Sequence, residues 1–432
     1  MSTKLRNSNG SRKWVIVALM FLAIICNYLD RQLLSILKPE ILEHFGIGDF
    51  EYAWIVNVFL ICYAIMYPIS GILVDRFGPK SVMLGGITIW SLACIGAAFA
   101  PNAWVFAACR GVLGLAEPTI FAGQIVAVTL WFEKRQRATA NSLCTIGGSL
   151  GAVVAPIVIA WLMGLLGYWQ HIFVISGLFG LVIAAFWLFI YKTPSQDILD
   201  KTVGADTKTP DGEQKSFTFK GLFKTHTLWG GILIRLVSDP VWYFCCFWLP
   251  GFLRSMGAGE GLTNEQTLNM IQWIGGIPFL VGAIGGILTS AWSDGMIRRG
   301  MPALKARKRM LIGVVVIAPL CMLVPLINGS AGLAFAWKVG LIVGIFSLVA
   351  VLCLSWLYTI PVVFAETFPV KNIASVMGLS CGAGALGSMV FNQFVGSIPE
   401  SGWKILFIIM GTLHIFAALI LWKLVRKETP QE

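Results

Sequence analysis

Apolar runs of about 20 residues recur along the whole chain, each long enough to cross a hydrocarbon layer roughly 30 Å thick. The first, WVIVALMFLAIIC, leads into NYLDRQLL at residues 27–34, where Asp30 and Arg31 stand side by side. Charge is otherwise scarce: 12% of the 432 residues are charged, 57% are hydrophobic, and mean hydropathy is +0.79. A soluble domain of this length needs more charged surface than that. In lipid each backbone polar group must be satisfied within its own element. The composition therefore specifies an all-α, polytopic membrane protein.

The runs predict twelve helices, over 14–37, 51–74, 81–100, 103–131, 138–166, 169–191, 226–253, 268–293, 310–328, 331–365, 372–397 and 402–424. Residues 192–225 are polar and rich in Lys, Asp, Thr and Gly, which reads as a linker. The expected organisation is a tail at 1–13, a six-helix bundle at 14–191, the linker at 192–225, a second bundle at 226–424 and a tail at 425–432. A net charge of +11 invites a nucleic-acid partner, but the placement of the charges decides against one. The tails and every second loop, with Lys423 at the end of the last run, hold 25 Lys and Arg, whereas the opposite side holds three, Lys38, Arg254 and Lys404. That asymmetry puts both termini in the cytoplasm. The ten Cys are scattered without metal-ligand spacing, so neither a metal nor another cofactor is expected. The basic N-terminal tail runs directly into the first span, so no cleavable signal peptide is expected.

The halves resemble each other. WFEKRQRATANSLCTIGGSLG enters the fifth helix and TFPVKNIASVMGLSCGAGALG the eleventh. Phe132, Arg135, Ala138, Gly148, Leu150 and Gly151 align with Phe368, Lys371, Ala374, Gly384, Leu386 and Gly387 at one offset of 236 residues. Paired repeats of this kind enclose a central site that opens alternately to each side of the membrane.

Removing the loop charges leaves Asp30, Glu117 and Asp239 as embedded acids, and Arg31, Arg110, Arg235 and Lys338 as embedded bases. Each costs on the order of 2.5–3.5 kcal/mol at a helix centre, so uncompensated retention is not expected. Lys338 lies near a helix start and can snorkel to the interface. Arg110 and Glu117, seven residues apart, share one face of the fourth helix. They read either as a proton-coupling pair or as a static ion pair. Asp30 and Arg31 point about 100° apart. Tyr28 and Arg31 would face the cavity, with Asp30 pairing with a cation on another helix, such as Arg110. Arg235 and Asp239 are spaced i,i+4 ahead of Pro240 and read equally as a substrate contact or as a structural pair at a bend. Buried guanidiniums argue for an anionic ligand, since the Arg fork matches a carboxylate. Tyr63, Gln124, Gln272, Tyr358, Ser380, Asn392 and Gln393 offer groups for hydroxyls, and Trp242, Trp248 and Trp273 offer rings to flank a sugar.

GILVDRFGPK, residues 71–80, resembles the loop signature between helices 2 and 3 of the major facilitator superfamily, with Gly71, Asp75, Arg76, Gly78 and Lys80 in the family's order. In that family the charges latch the cytoplasmic gate, and the resemblance implies a major facilitator fold of two pseudo-symmetric bundles. SDGMIRRG is a degenerate second-half counterpart. NYLDRQ, RGVLGLAEP and RLVSDPVWYFCCFWLP together resemble the anion:cation symporter family, nearest its hexuronate and sugar-acid carriers, from about residue 14 to 425. The resemblance implies that Tyr28, Arg31 and Tyr63 contact a sugar-acid anion, with Asn392 as a matching polar residue. It also implies that Asp30 and Glu117 couple protons with Arg110 as their cationic partner, and it adds support for Arg235. One departure is GLSCGAG in helix 11, where such carriers show more hydroxyls. The expectation is a monomeric, proton-coupled importer of a hexuronate or aldonate in a bacterial cytoplasmic membrane, its partners being substrate, protons and lipid. The alternatives are a symporter of another organic anion, such as a small dicarboxylate or aromatic acid, and a non-transporting membrane receptor. No nucleophile–base set or phosphate-cradling loop points to an enzyme.

Overall fold

The computed structural model describes residues 2–132, 134–196, 198, 199, 219–368, 370–399 and 402–426. The side chains of residues 2–11, 75, 134–139, 142, 219, 365, 370, 371, 373 and 374 lie outside that description, as does most of the expected linker. Helix is the one regular element among the described residues.

Twelve helices form the frame. The first six are α1 (Ser2–Ile36), α2 (Asp49–Val74), α3 (Arg76–Ala98), α4 (Ala103–Trp131), α5 (Lys134–Leu166) and α6 (Trp169–Ile190). The second six are α7 (His226–Phe247), α8 (Asn264–Arg298), α9 (Ala303–Asn328), α10 (Phe335–Thr367), α11 (Val370–Ser397) and α12 (Trp403–Leu424). Eleven are long and apolar enough to cross a membrane, and α11, 28 residues long, is the twelfth. Most ends follow the apolar runs to within about five residues, but α1 begins twelve residues before its run and α9 seven before its run, and two helices are interrupted. The seventh run stops at Trp248, where Pro250 opens a separate helix, Leu249–Gly259. The eighth contains a break at Gly275 and Gly276, between Asn264–Ile274 and Ile277–Arg298.

The repeated glycines explain how each half closes. A Cβ on Gly148 would stand 2.6 Å from the Tyr28 ring, and one on Gly151 would stand 2.8 Å from the carbonyl oxygen of Ile25. In the second half, a Cβ on Gly384 would collide with Asp239 Oδ2, and one on Gly387 with the carbonyl oxygen of Leu236. The aligned glycines thus press α5 onto α1 and α11 onto α7, a small-residue contact typical of membrane helices. Both contacts back the helices that carry the embedded charges. Gly387→Ala should destabilise the fold by roughly 1–3 kcal/mol, because the facing backbone must move. The check is a lower melting temperature in detergent; an unchanged one would show that α7 has slack there.

The halves meet through α2 with α11, α5 with α8, and α1 with α7. Opposite the chain termini the seam is polar. Arg254 forms a two-pronged pair with Glu40, both bonds at 2.9 Å, and donates to the carbonyl of Ile36 at 3.0 Å. Lys38 pairs with Asp49 at 2.7 Å and stands 4.4 Å above the Trp248 ring centroid. Tyr52 reaches across to the carbonyl of Phe247 at 3.0 Å. The bundle is closed at this end.

Candidate functional site

Tyr28 and Arg31 lie three apart on α1, and Glu117 faces them from α4. Pro118 follows Glu117, removing one backbone donor and dividing α4 into Ala103–Ala116 and Pro118–Trp131. Arg31 is 7% exposed and Glu117 fully buried. Arg31 Nε and Nη2 both donate to Glu117 Oε2, at 2.9 and 2.7 Å. The guanidinium carbon stands 4.8 Å from the ring centroid of Tyr63, 5.2 Å from that of Tyr28 and 5.5 Å from that of Phe59. The carboxylate holds the guanidinium at its edge and the rings surround it, which orients a planar cation as no single contact can. Both bonds fall on one oxygen; Glu117 Oε1 has no hydrogen-bond partner among the described residues. A buried cation needs a counter-ion. A ligand carboxylate reaching Arg31 can take that role from Glu117.

Asp30 points away from Arg31. Its carboxylate accepts from the Ser176 hydroxyl of α6, from Cys94 of α3 at 3.5 Å and from Cys26 at 3.8 Å. Arg110 Nη1 donates to the backbone carbonyl of Asp30 at 3.3 Å, with its guanidinium 5.4 Å above Phe59. Two expectations from spacing are corrected here. Arg110 meets the main chain of Asp30 rather than its carboxylate, and Glu117 bonds Arg31 rather than Arg110. Residues seven apart share a face but stand about 10 Å apart along the axis, so a cation on the facing helix comes nearer. Arg110 remains within electrostatic reach of both acids. Its Nε and Nη2, with both amide atoms of Asn27, are buried without a hydrogen-bond partner among the described residues, so the space between α1 and α4 is polar enough to hold water.

In the second half, Arg235 Nε forms an ion pair with Asp239 Oδ2 at 3.2 Å within α7, and Arg235 Nη2 donates to Cys381 of α11 at 3.5 Å. The thiol that marks the unusual GLSCGAG segment is thus a partner of Arg235. Tyr243 lies within electrostatic reach of Arg31 and Tyr63 from one half and of Arg235 and Asp239 from the other. Tyr67 likewise reaches Tyr63, Arg235, Tyr243 and Cys381. Tyr243 therefore stands near both buried arginine–acid pairs, and Tyr63 and Tyr67 have ring centroids 5.5 Å apart. Tyr67 and Tyr243 were not singled out from the sequence. Spacing held the signal: Tyr67 is one turn from Tyr63, and Tyr243 is two turns from Arg235.

Other expected ligand groups are engaged elsewhere. Asn392 donates to the carbonyl of Ala53 at 3.1 Å and to Asn57 at 2.9 Å, and accepts from Trp248. Asn57 in turn bonds Gln393 at 2.8 Å. In this closed arrangement Asn392 is part of the seam between halves and has no group free for a ligand. Gln124 bonds Asn141 at 2.9 Å, and Tyr358 bonds Ser149 across the halves at 2.8 Å. Gln272 is half-buried on the Asn264–Ile274 segment, which packs against α5. Trp273 faces outward, 68% exposed, and cannot flank a central ligand.

At the 71–80 loop, Gly78 has φ 75° and ψ 160°, a conformation open essentially to glycine alone. It kinks the helical path near the start of α3, just ahead of Pro79, and Trp187 of α6 donates to the carbonyl of Lys80 at 3.1 Å. Arg76 is exposed, Gly71 has open space where a Cβ would stand, and the side chain of Asp75 lies outside the described residues. The degenerate counterpart is still ionic: Arg307 of α9 meets Asp294 of α8 at 2.6 Å and Glu366 of α10 at 3.6 Å.

Comparison with known proteins follows the same outline. A family model described as Major Facilitator Superfamily matches residues 20–361. The chain is 24% identical to the hexuronate transporter of Escherichia coli K12 over 98% of its own length and 96% of that protein's. It is 26% identical to the hexuronate transporter of Bacillus subtilis, covering 96% and 95%. It is 28% identical to the galacturonate transporter of Dickeya chrysanthemi, covering 64% and 80%. Among solved structures, a D-xylose–proton symporter superposes with a TM-score of 0.71 at 14% identity, over 96% of this chain and 99% of that one.

Proposed function

This chain belongs to the Major Facilitator Superfamily, and from that premise we propose that it imports a sugar-acid anion, a hexuronate or an aldonate, together with protons by alternating access. It is a transporter rather than an enzyme. The observation that carries the reading is Arg31, buried among three aromatic rings and tied to a single oxygen of Glu117. A substrate carboxylate arriving at Arg31 displaces Glu117 most readily when Glu117 is protonated, because only one anion is then needed beside the cation. Substrate and proton therefore enter together. Relatives named for hexuronate, galacturonate and L-galactonate transport support the substrate class.

Tyr28 and Tyr63 orient Arg31 and line the carboxylate end, while Arg235 and Gln272 serve the far end of the sugar. Asn392 joins them once the seam that occupies it opens. Asp30, held by Ser176 and Cys94, is the second proton site, and Arg110 bonds its main chain while lying within electrostatic reach of Glu117. Gly71, Asp75, Arg76 and Gly78 form the gate latch at the end carrying the termini. By the distribution of Lys and Arg that end is cytoplasmic. On this reading the protein works as a monomer in a bacterial inner membrane.

The test is uptake of labelled galacturonate into proteoliposomes with and without an inward proton gradient. Gradient-driven accumulation, competed by other sugar acids but not by hydroxyl-poor acids, is the expected result. Competition won by a small dicarboxylate or an aromatic acid would replace the sugar assignment with another organic anion. Binding without any uptake would point to a receptor.

A further inference from the structure

The names of the relatives leave one choice of chemistry open, since they cover monoacids and also galactarate and D-glucarate, which carry a carboxylate at each end. We propose that the Arg235–Asp239 pair selects monoanionic sugar acids and rejects diacids, with Asp239 as the residue that sets the preference. The inference rests on the sugar-acid reading and deepens it.

The argument starts from the asymmetry between the two buried arginine–acid pairs. Arg31 meets its acid across two helices, through residues 86 apart in sequence. Arg235 meets its acid within one helix, at i,i+4. Helix geometry keeps such a pair together as α7 moves. Asp239 is further confined by α11: its Oδ2 occupies the space that a Cβ on Gly384 would take. Its other oxygen accepts from Ser238 at 3.3 Å. The carboxylate is therefore a fixed neighbour of Arg235, not a switchable one.

A substrate held by Arg31 at one carboxylate presents its other end to the second half, where Tyr243 lies within electrostatic reach of both arginines and Tyr67 within reach of Arg235. There it meets a cation and an anion 3.2 Å apart, with no net charge. Arg235 Nη1 carries no hydrogen bond among the described residues, and Nη2 is spent only on a weak thiol acceptor. Sugar hydroxyls both donate and accept, so they can use such a dipolar pair from either side. A second carboxylate only accepts. It would shed its water beside Asp239, whose charge already balances Arg235. Like-charge juxtaposition is how a site rejects the wrong partner without a steric block.

The experiment is a competition in proteoliposomes, with labelled galacturonate against unlabelled galactonate or galactarate. The wild type should favour galactonate over galactarate by about tenfold or more. Asp239→Asn keeps the shape, frees the charge of Arg235, and should shift that ratio toward galactarate by roughly tenfold. The double substitution Arg235→Gln with Asp239→Asn keeps polar groups without charge, and should return the preference to the monoacid. The readout is a ratio within each protein, so reduced yield or rate does not mimic it. Equal competition by monoacid and diacid in the wild type, or a ratio unmoved by Asp239→Asn, would overturn the inference while leaving sugar-acid transport standing. Absence of galacturonate uptake in folded wild-type protein would instead remove the underlying reading.

Discussion

Uptake by an Arg31→Lys variant should fall on the order of a hundredfold, although the charge is retained. Two charge-assisted bonds, each worth roughly 1.5–3 kcal/mol, depend on the Nε and Nη2 edge of one planar group. The face of that group lies among Tyr63, Tyr28 and Phe59, at 4.8 to 5.5 Å from their ring centroids. A lysine ammonium is a compact, strongly hydrated point charge on a flexible stem. It can approach Glu117 or a ligand carboxylate, but it cannot present two parallel donors while filling the space between rings. At 1.4 kcal/mol per tenfold, losing one of the two bonds and the ring contacts accounts for about two decades. The measurement is the initial rate of galacturonate uptake, with a melting curve to show that the variant is folded. A rate within about twofold of wild type would mean that Arg31 acts as bulk positive charge, and the fork argument would fail.

The fold was legible because lipid leaves so few options. Twelve apolar runs gave twelve helices, and Gly148, Gly151, Gly384 and Gly387, aligned at one offset, marked the two helix contacts that close the halves. The embedded charges were also legible, since each is rare enough in a spanning segment to need a reason. Their pairing across helices was not. Spacing along α4 placed Glu117 on the face of Arg110, but no periodicity says which side chain the neighbouring helix will bring closest. The i,i+4 pair of Arg235 and Asp239 needed no such knowledge and forms within α7. Asn392 shows a second limit. A buried amide serves a ligand and a helix seam with the same atoms, and in this closed arrangement Ala53, Asn57 and Trp248 hold them. Cys381, which reads as a loss of polarity in helix 11, takes its meaning from its contact with Arg235.

Glu117→Gln should separate transport from energy coupling. Glutamine has nearly the shape of glutamate and can still accept from Arg31 through its carbonyl oxygen, so the cage of Tyr28, Tyr63 and Phe59 has no reason to collapse. What it lacks is an exchangeable charge. Arg31 then has no competing anion and holds the substrate carboxylate in every state, so release into an empty compartment slows while exchange for another anion continues. A one-unit pH gradient supplies about 1.4 kcal/mol per proton, or roughly tenfold in concentration for each proton carried. With the membrane potential clamped at zero, the wild type should therefore accumulate galacturonate about tenfold per coupled proton, and the variant should settle near equal concentrations. Counterflow from preloaded vesicles should persist in the variant, which separates lost coupling from lost folding. Undiminished accumulation by Glu117→Gln would make Glu117 a structural partner of Arg31. The proton would then have to ride on Asp30, whose carboxylate sits among Ser176, Cys94 and Cys26 with no side-chain cation bonded to it among the described residues.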